Sequence, residues 1–195
     1  MLNLFYQNKA LNDTLMINVS NEQSTHIETN QDVIKGFNGD KLVFINIMNA
    51  SKHITNLSNG LLFPTQELME QLNKIIETDL TPNFDNGFKI GQITECEEIK
   101  GTHLHKCKVN IGIKTLDIVC GAPNARKDLK VVVATNGTML PSSKQIIAGQ
   151  LLGNKSEGML CSYRELNIEK ESNGIIELPD TTTIGEYYKE PYVNK

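Results

Sequence analysis

Hydrophobic and polar residues alternate in the first part of the chain in a way that is typical of strands. Leu15, Ile17 and Val19 recur at every second position, so they predict a strand with one buried face. Residues 42–48 form a nearly continuous apolar run, which predicts a strand that is buried on both faces. Asparagine, glycine and aspartate at residues 38–40 predict a turn just before it.

Helical periodicity replaces this alternation further along the chain. Thr65 is a suitable N-cap, and Glu67 follows in the first turn, where a negative charge is favourable. Thr81 and Pro82 end the pattern, since proline cannot continue a helix. Residues 1–80 therefore predict a small α+β domain, whose role the pattern does not reveal. The apolar residues with helical spacing are Leu68, Leu72, Ile75, Ile76 and Leu80.

A new pattern begins after residues 81–87, which are rich in the turn-forming residues that are typical of a linker. Short apolar runs then alternate with turns, which predicts an all-β barrel of four or five strands, with the five-stranded OB-fold as the expected form. We assign residues 88–195 to this OB-fold domain. A strand at residues 174–179 and a short helix at residues 184–188 extend it. The predicted barrel strands are residues 88–96, 105–111, 115–120, 131–134 and 145–151.

Charge is distributed unevenly along the 195 residues, which carry a net charge of −4. Residues 1–85 hold 5 lysines and 10 acidic residues, whereas residues 89–170 hold 12 basic and 8 acidic residues. Only the second part is therefore a candidate to bind phosphate, and its small positive excess predicts weak, salt-sensitive binding.

The sequence predicts neither a signal peptide nor a membrane span. Its first residues lack a basic flank and a long apolar run, and no later stretch approaches the roughly 20 apolar residues of a membrane helix. The four cysteines have no close paired spacing, so we expect reduced thiols and no disulfide. These features predict a cytoplasmic protein.

Two motifs in the second part carry most of the functional information. The first motif is IVCGAPN at residues 118–124, and the second motif is SEGMLCSYREL at residues 156–166. KIGQI at residues 89–93 and KVVVA at residues 130–134 accompany them in the same order as in a known family. The chain resembles the tRNA-binding domain that is shared by the N-terminal part of bacterial phenylalanyl-tRNA synthetase beta chains and by free-standing tRNA-binding proteins. The resemblance implies an OB-fold that binds tRNA.

The acidic first domain, joined to this barrel, resembles the arrangement in the YtpR family of bacterial tRNA-binding proteins. Synthetase beta chains continue far beyond this domain, so we expect a different protein from that enzyme. One departure from the family is the loop at residues 100–105, where KGTHLH replaces a sequence of the type His-Pro-Asn-Ala-Asp-Lys-Leu. Because loops at this place shape ligand binding in OB-folds, the departure predicts an altered tRNA preference or a weaker affinity.

Lysines on the second predicted barrel strand are the first candidates for binding. Lys106 and Lys108 are two positions apart and therefore share one face of the strand, while Lys155 and Arg126 lie in loops. Such side chains neutralise phosphates in nucleic acids. The alternative is an ordinary solvated face, and the resemblance favours the binding of RNA through its backbone and shape.

The two motifs supply the other candidates. Asn124 and Arg126 can bond to bases or phosphates, although asparagine beside proline is also common in turns. By resemblance, residues 156–159 present a hydroxyl, a carboxylate and a thioether to the ligand, whereas Ser162 and Glu165 form a capping box for a short helix. The predicted tRNA-binding residues are Lys106, Lys108, Asn124, Arg126, Lys155, Ser156, Glu157 and Met159.

Catalytic and metal chemistry find little support in the sequence. His103, His105 and Cys107 are spaced two apart but lack a Cys-x-x-Cys partner, so we expect no metal site. Cys120 and Cys161 have no histidine nearby in sequence, and buried thiols are usually inert. We therefore expect a protein without catalytic residues and without a cofactor.

The sequence thus predicts a non-catalytic protein that grips tRNA through shape and backbone contacts on its OB-fold. The alternative is a protein-interaction module that docks onto an aminoacyl-tRNA synthetase or a translation factor, since a fold does not determine a function. The expected partner is tRNA, with a synthetase as a second candidate and no membrane partner. The resemblance also leaves a homodimer open, because some free-standing relatives form one.

Overall fold

The structure of this protein is a computed structural model in which the chain forms two compact units, divided between Asn86 and Gly87. Residues 81–84, in the predicted linker, lie outside the described residues. Gly87, at the end of that linker, is bonded into the second unit, because its carbonyl oxygen accepts hydrogen bonds of 3.0 Å from the hydroxyls of Thr135 and Thr138. The described residues are 2–80, 85–142 and 144–188.

The first unit is an antiparallel sheet with one α-helix and a short 3-10 helix. Its elements are β1 (Asn3–Gln7), β2 (Thr14–Asn18), β3 (His26–Asn30), β4 (Val33–Asn38), β5 (Lys41–Ile47), the 3-10 helix (Ala50–Lys52), β6 (Gly60–Leu62) and α1 (Gln66–Ile76). The six strands are ordered β3-β4-β5-β2-β1-β6. Among residues 2–80 this unit is therefore mostly β, with one α-helix, which agrees with the predicted α+β class.

Strand β5 corresponds to the apolar run at residues 42–48, and only one of its faces is fully buried. Val43, Ile45 and Ile47 are at most 3% exposed, whereas the side chain of Phe44 between them is half-buried. The predicted burial on both faces was wrong, because the helix and its apolar residues pack on one side of the sheet only.

Helix α1 begins as the sequence predicts. The hydroxyl of Thr65 accepts a hydrogen bond from the backbone N–H of Leu68 at 3.2 Å, which confirms the N-cap. The helix ends earlier than predicted, at Ile76, because Glu77 adopts a left-handed conformation with φ of 52°. Leu80 follows the helix and is nevertheless fully buried in the core.

The second unit contains a nearly closed antiparallel barrel of five strands, together with three further short strands. In chain order the strands of this unit are β7 (Phe88–Glu98), β8 (His105–Asn110), β9 (Thr115–Cys120), β10 (Lys130–Thr135), β11 (Gly149–Leu151), β12 (Asn154–Ser156), β13 (Gly158–Leu160) and β14 (Glu177–Leu178). The barrel strands are ordered β13-β10-β7-β8-β9, β14 pairs with β10, and β11 and β12 form a separate hairpin. The predicted OB-type barrel is confirmed. Its core includes Ile93, Val109, Ile118, Val131 and Val133.

Two predicted elements of this unit were wrong. The fifth barrel strand is β13, inside the second motif, and not residues 145–151, whose extended part pairs only within the β11–β12 hairpin. Residues 184–188 form no helix but lie beside β7. There Ile90 donates its N–H to the carbonyl of Glu186 at 2.9 Å and accepts the N–H of Gly185 at 2.8 Å.

Candidate nucleic-acid interface

Strand β8 presents two lysines on the outer surface of the barrel. Lys106 and Lys108 are exposed, whereas Cys107 and Val109 at the alternate positions are fully buried in the core. The predicted placement of the two lysines on one solvent-facing side of a strand is therefore confirmed.

Carboxylates on the neighbouring strands lie opposite these lysines. The ammonium of Lys108 forms an ion pair of 2.9 Å with Glu95, and the hydrogen bond between them raises the pKa of Lys108. Glu97 is the cross-strand neighbour of Lys106 on β7, and Asp117 is that of Lys108 on β9. The side chain of Lys106 forms no ion pair or hydrogen bond with any residue that the structure describes. The outer face thus holds opposite charges in alternation.

Lys155 joins the same surface through the β11–β12 hairpin. Its ammonium lies 2.8 Å from the carboxylate of Glu157, which raises the pKa of Lys155 and lowers that of Glu157. The same Glu157 carboxylate accepts the N–H of Asp117, which is the cross-strand neighbour of Lys108, so Lys155 and Lys108 lie on either side of Asp117. We call the outer surface that carries Lys106, Lys108 and Lys155 the lysine face.

The polar residues of the second motif close the barrel along the free edge of β9. The hydroxyl of Ser156 accepts the N–H of Val119 at 3.2 Å. Glu157 donates its own N–H to the carbonyl of Asp117 at 2.8 Å, and its carboxylate accepts the N–H of Asp117 at 3.2 Å. Two of the predicted tRNA-binding side chains therefore replace a strand partner, a role that their sequence did not indicate.

Asn124 and Arg126 tie the end of the first motif to the segment that leads into β14. The amide of Asn124 donates to the carbonyl of Ile175 and accepts its N–H, both at 2.9 Å. Arg126 forms a bidentate pair with Glu177, with nitrogen–oxygen distances of 2.8 and 2.7 Å. Both polar groups are thus engaged within the domain, and their predicted contact with tRNA stays a prediction.

This cluster makes stability depend on pH. Hydrogen bonds from Arg126 and then from Asn124 lower the pKa of Glu177 from its ordinary 4.5 to about 2. A carboxyl whose pKa is lowered by folding stabilises the fold above its unfolded pKa, and this contribution is lost as the pH falls through the folded pKa. We expect the free energy of unfolding, measured with urea, to fall between about pH 5 and about pH 2. In the Glu177→Gln variant, the free energy of unfolding should fall less steeply with pH. Parallel pH curves for the variant and the unaltered protein would show that Glu177 is not the source of the dependence.

An open cleft of about 590 Å³ lies where the two motifs meet. Its walls are residues 119–123 of the first motif, residues 172–175, and Met159, Ser162 and Arg164 of the second motif. The half-buried side chain of Met159 therefore faces a cleft large enough for a ligand. The guanidinium of Arg164 is exposed and bonds to no residue in the described part of the chain. Sequence analysis did not select Arg164, although its position inside the second motif was a signal.

The barrel requires a glycine at position 158, next to Met159. A Cβ atom on Gly158 would lie 2.7 Å from the carbonyl oxygen of Ala134 on the neighbouring strand β10. That distance is too short for any side chain, so this position of the second motif serves the packing of β13 against β10.

Comparisons of the sequence with known proteins point to one family. A family model described as "Putative tRNA binding domain" matches residues 88–187, which is just over half of the chain and spans both motifs and the lysine face. The chain belongs to this tRNA-binding-domain family. A second model, a domain of unknown function (DUF4479), matches residues 20–84 in the first unit.

Relatives of this tRNA-binding-domain chain fall into two kinds. It is 36% identical to the "Putative tRNA-binding protein YtpR" of Bacillus subtilis over 86% of its own length and 88% of that protein. It is 34% identical to the "Uncharacterized protein MG449 homolog" of Mycoplasma pneumoniae, over 96% of the chain and 76% of that protein. It also matches the phenylalanine–tRNA ligase beta subunit of Haemophilus influenzae at 43% identity, but covers only 17% of that subunit. The resemblance to the YtpR family and to this synthetase region is thus confirmed.

Two further polar segments of the tRNA-binding domain serve local structure. Ser162 and Glu165 form the predicted capping box, with hydroxyl–carboxylate and N–H–carboxylate distances of 2.7 and 2.8 Å, but they close a turn and not a helix. The loop at residues 100–105 folds back on itself, since Ile99 donates its N–H to the carbonyl of Leu104 at 2.8 Å. The effect of this loop on tRNA preference stays a prediction.

Burial raises the pKa of the two cysteine thiols that the sequence offers as nucleophiles, Cys120 and Cys161. Both groups are therefore protonated and weakly reactive at neutral pH. Within the described residues, no group of three or more histidine, cysteine, aspartate or glutamate side chains is arranged to hold a metal ion. No helix in the described part of the chain is long and apolar enough to cross a membrane.

Proposed function

We propose that this chain is a non-catalytic tRNA-binding protein whose barrel grips tRNA on the lysine face. One observation carries the proposal: the part of the chain that matches the tRNA-binding family is the unit that gathers Lys106, Lys108 and Lys155 on one exposed surface. Three cations on a rigid barrel suit the phosphate backbone of a folded RNA, which is recognised through its shape more than through base edges in its deep major groove.

The carboxylates on the lysine face limit the strength of this grip. Glu95, Asp117 and Glu157 compensate Lys108 and Lys155, so tRNA phosphates must compete with them for the two ammonium groups. Lys106 is not paired in this way and is the cation that meets a phosphate at the lowest cost. If all three lysines contact phosphates, the logarithm of the binding constant should fall with the logarithm of the salt concentration with a slope of about −2 to −3.

The same charge balance supports a second candidate function. Alternating lysines and carboxylates also suit a protein partner with the complementary pattern, such as an aminoacyl-tRNA synthetase or a translation factor. Neither function needs a catalytic residue, and the buried thiols Cys120 and Cys161 support a non-catalytic role. A tRNA partner implies that the protein works in the cytoplasm.

A comparison of binding to tRNA and to DNA distinguishes the two functions. The full chain would be titrated with total tRNA, and with duplex and single-stranded DNA of matched length, across a series of salt concentrations. Tighter binding to tRNA than to either DNA, weakened by salt, is the expected result. Equal and weak binding to all three at low salt would contradict the proposal and favour the docking of a protein.

Removing negative charge from the lysine face should strengthen the binding of tRNA. In Glu95→Gln with Glu97→Gln, both changes are at exposed positions of β7, and the lost surface ion pair contributes little stability. We expect the affinity for tRNA to rise by about three- to tenfold, because Glu95 no longer competes for Lys108 and two negative charges that repel phosphate are removed from the lysine face.

The matched control changes the net charge equally in the first unit. Glu28→Gln with Glu67→Gln alters exposed positions of β3 and α1 and should leave the affinity for tRNA nearly unchanged. An equal gain in both double variants would mean that only overall charge matters, and that the lysine face has no special part in binding.

A further inference from the structure

The β11–β12 hairpin ends in an unusual turn. Leu151 pairs with Asn154, so the turn contains only Leu152 and Gly153. Both residues have positive φ, 49° for Leu152 and 74° for Gly153. Glycine and asparagine adopt this conformation readily, whereas a leucine in it is strained. The sequence thus keeps a bulky apolar residue where a small or polar one would stabilise the turn.

The strained leucine belongs to an exposed apolar group. The side chain of Leu152 is 62% exposed, Leu151 is 47% exposed, and Ile147 at the base of the hairpin is 74% exposed. Every residue of β11 is exposed, because this strand pairs only with β12. Strain and exposure together mean that Leu152 lowers stability without filling a core, which is a sign of a function elsewhere.

The hairpin is held firmly although its tip is exposed. Asn154 donates its side-chain amide to the carbonyl of Leu152 at 3.0 Å, and Ala148 donates its N–H to the side chain of Asn136 at 2.7 Å. Ser156, at the end of β12, is bonded to β9. The hairpin is thus bonded at its base and at the end of β12, and Lys155 on β12 connects its tip to the lysine face within roughly 10 Å of extended chain.

We propose that Leu152 is an apolar contact for an exposed nucleobase of tRNA, with Leu151 beside it. This proposal rests on the proposed function and names a contact that does not involve phosphate. Unstacked loop bases present an apolar face, and leucine side chains that project from a protein pack against or between bases. The hairpin connects the fourth and fifth barrel strands, a connection that often binds nucleic acid in OB-folds.

A second copy of this chain is the less suitable occupant. A stable dimer needs roughly 800 Å² of buried surface on each partner. A two-residue turn presents much less, and its neighbours Gln150, Asn154 and Lys155 are polar. Amide and ammonium groups around an apolar tip match the edges of a base and the phosphate next to it.

The variant Leu152→Gly tests this inference with two readouts that move in opposite directions. Glycine relieves the backbone strain, so the midpoint of thermal unfolding should rise by about 1 to 3 °C. The affinity for tRNA should fall by about five- to tenfold. No charge changes, so the slope of affinity against salt should match that of the unaltered protein. Loss of affinity with a gain in stability cannot arise from unfolding.

A pair of polar variants provides the control. Leu152→Asn keeps a residue that tolerates the turn and should also weaken binding, whereas Ile27→Asn, at a 60% exposed position of β3, should not. Unchanged tRNA affinity in both Leu152 variants, when the unaltered protein binds tRNA, would overturn the nucleobase contact and leave the proposed function intact. A change in sedimentation with unchanged tRNA affinity would assign the tip to self-association. Absence of tRNA binding by the unaltered protein would overturn both.

Discussion

Reversing the charge of both β8 lysines, in Lys106→Glu with Lys108→Glu, is expected to abolish measurable binding of tRNA at physiological salt, a loss of at least about 100-fold. Two phosphate contacts disappear, and Glu95, Glu97 and Asp117 on the neighbouring strands then form a continuous acidic surface with the new side chains. In a plot of the logarithm of the binding constant against the logarithm of the salt concentration, the slope should lose the contribution of about two phosphate contacts.

The barrel should stay folded in this double variant. Cys107 and Val109, which hold β8 in the core, are unchanged. Like charges opposite each other on adjacent strands lower stability by roughly 0.2 to 1 kcal/mol per pair. Circular dichroism and urea unfolding would therefore show a folded protein with a modest loss of stability.

Lys9→Glu with Lys74→Glu is the matched control, because it changes the net charge equally at exposed positions of the first unit. This control should bind tRNA with nearly the affinity of the unaltered protein. If the β8 variant keeps its affinity, Lys106 and Lys108 are not part of the site. If both double variants lose it equally, long-range charge and not the lysine face controls binding.

The second large effect is on stability. Asn124→Ala should lower the free energy of unfolding by about 2 to 4 kcal/mol. The amide makes three hydrogen bonds, and without it the N–H and carbonyl of the buried Ile175 would lose their partner. Asn173→Ala, in the same segment, removes an exposed side chain that bonds to no described residue, and should cost little. Urea unfolding of the two variants measures the difference.

Binding measurements with Asn124→Ala also decide between two roles. The sequence suggests that Asn124 contacts tRNA, whereas in the structure the nitrogen and the oxygen of its amide both bond to the backbone of Ile175. A loss of stability with little change in tRNA affinity below the unfolding transition would support the structural role. A loss of affinity without a loss of stability would instead make Asn124 an RNA contact.

Patterns that depend on neighbouring residues were predictable from the sequence. Alternation placed Lys106 and Lys108 on the outside of β8, and the N-cap at Thr65 fixed the start of α1. Ser162 and Glu165 bond to each other as their spacing predicts. In each case the partner is at most three positions away, so the chain itself carries the information.

Features that depend on strand register were not predictable in this way. A bulge between Ile93 and Glu95 changes the side to which β7 residues point, and thereby places Glu95 opposite Lys108. Without it, regular alternation would have directed Glu95 to the buried side with Ile93. The pairing of the lysines, and with it the charge balance of the lysine face, follows from this one inserted residue.

The strand that closes the barrel could not be predicted from the sequence for a related reason. Strand β13 has only three residues and begins at a glycine, so it lacks the apolar run by which a strand is found in a sequence. The edge of β9 is completed by side chains of Ser156 and Glu157 from far along the chain. Polar residues of a binding motif were therefore assigned to the ligand alone, although they also hold the domain together.

Mapping the contact surface would show directly whether tRNA binds to the lysine face. Backbone amide signals of the isotope-labelled full chain would be recorded by NMR while total tRNA is added. The largest changes are expected at β8, β9 and the β11–β12 hairpin, with Lys106 among them. Changes confined to the cleft between the two motifs or to the first unit, or no changes at all at tRNA concentrations that saturate binding, would contradict this expectation.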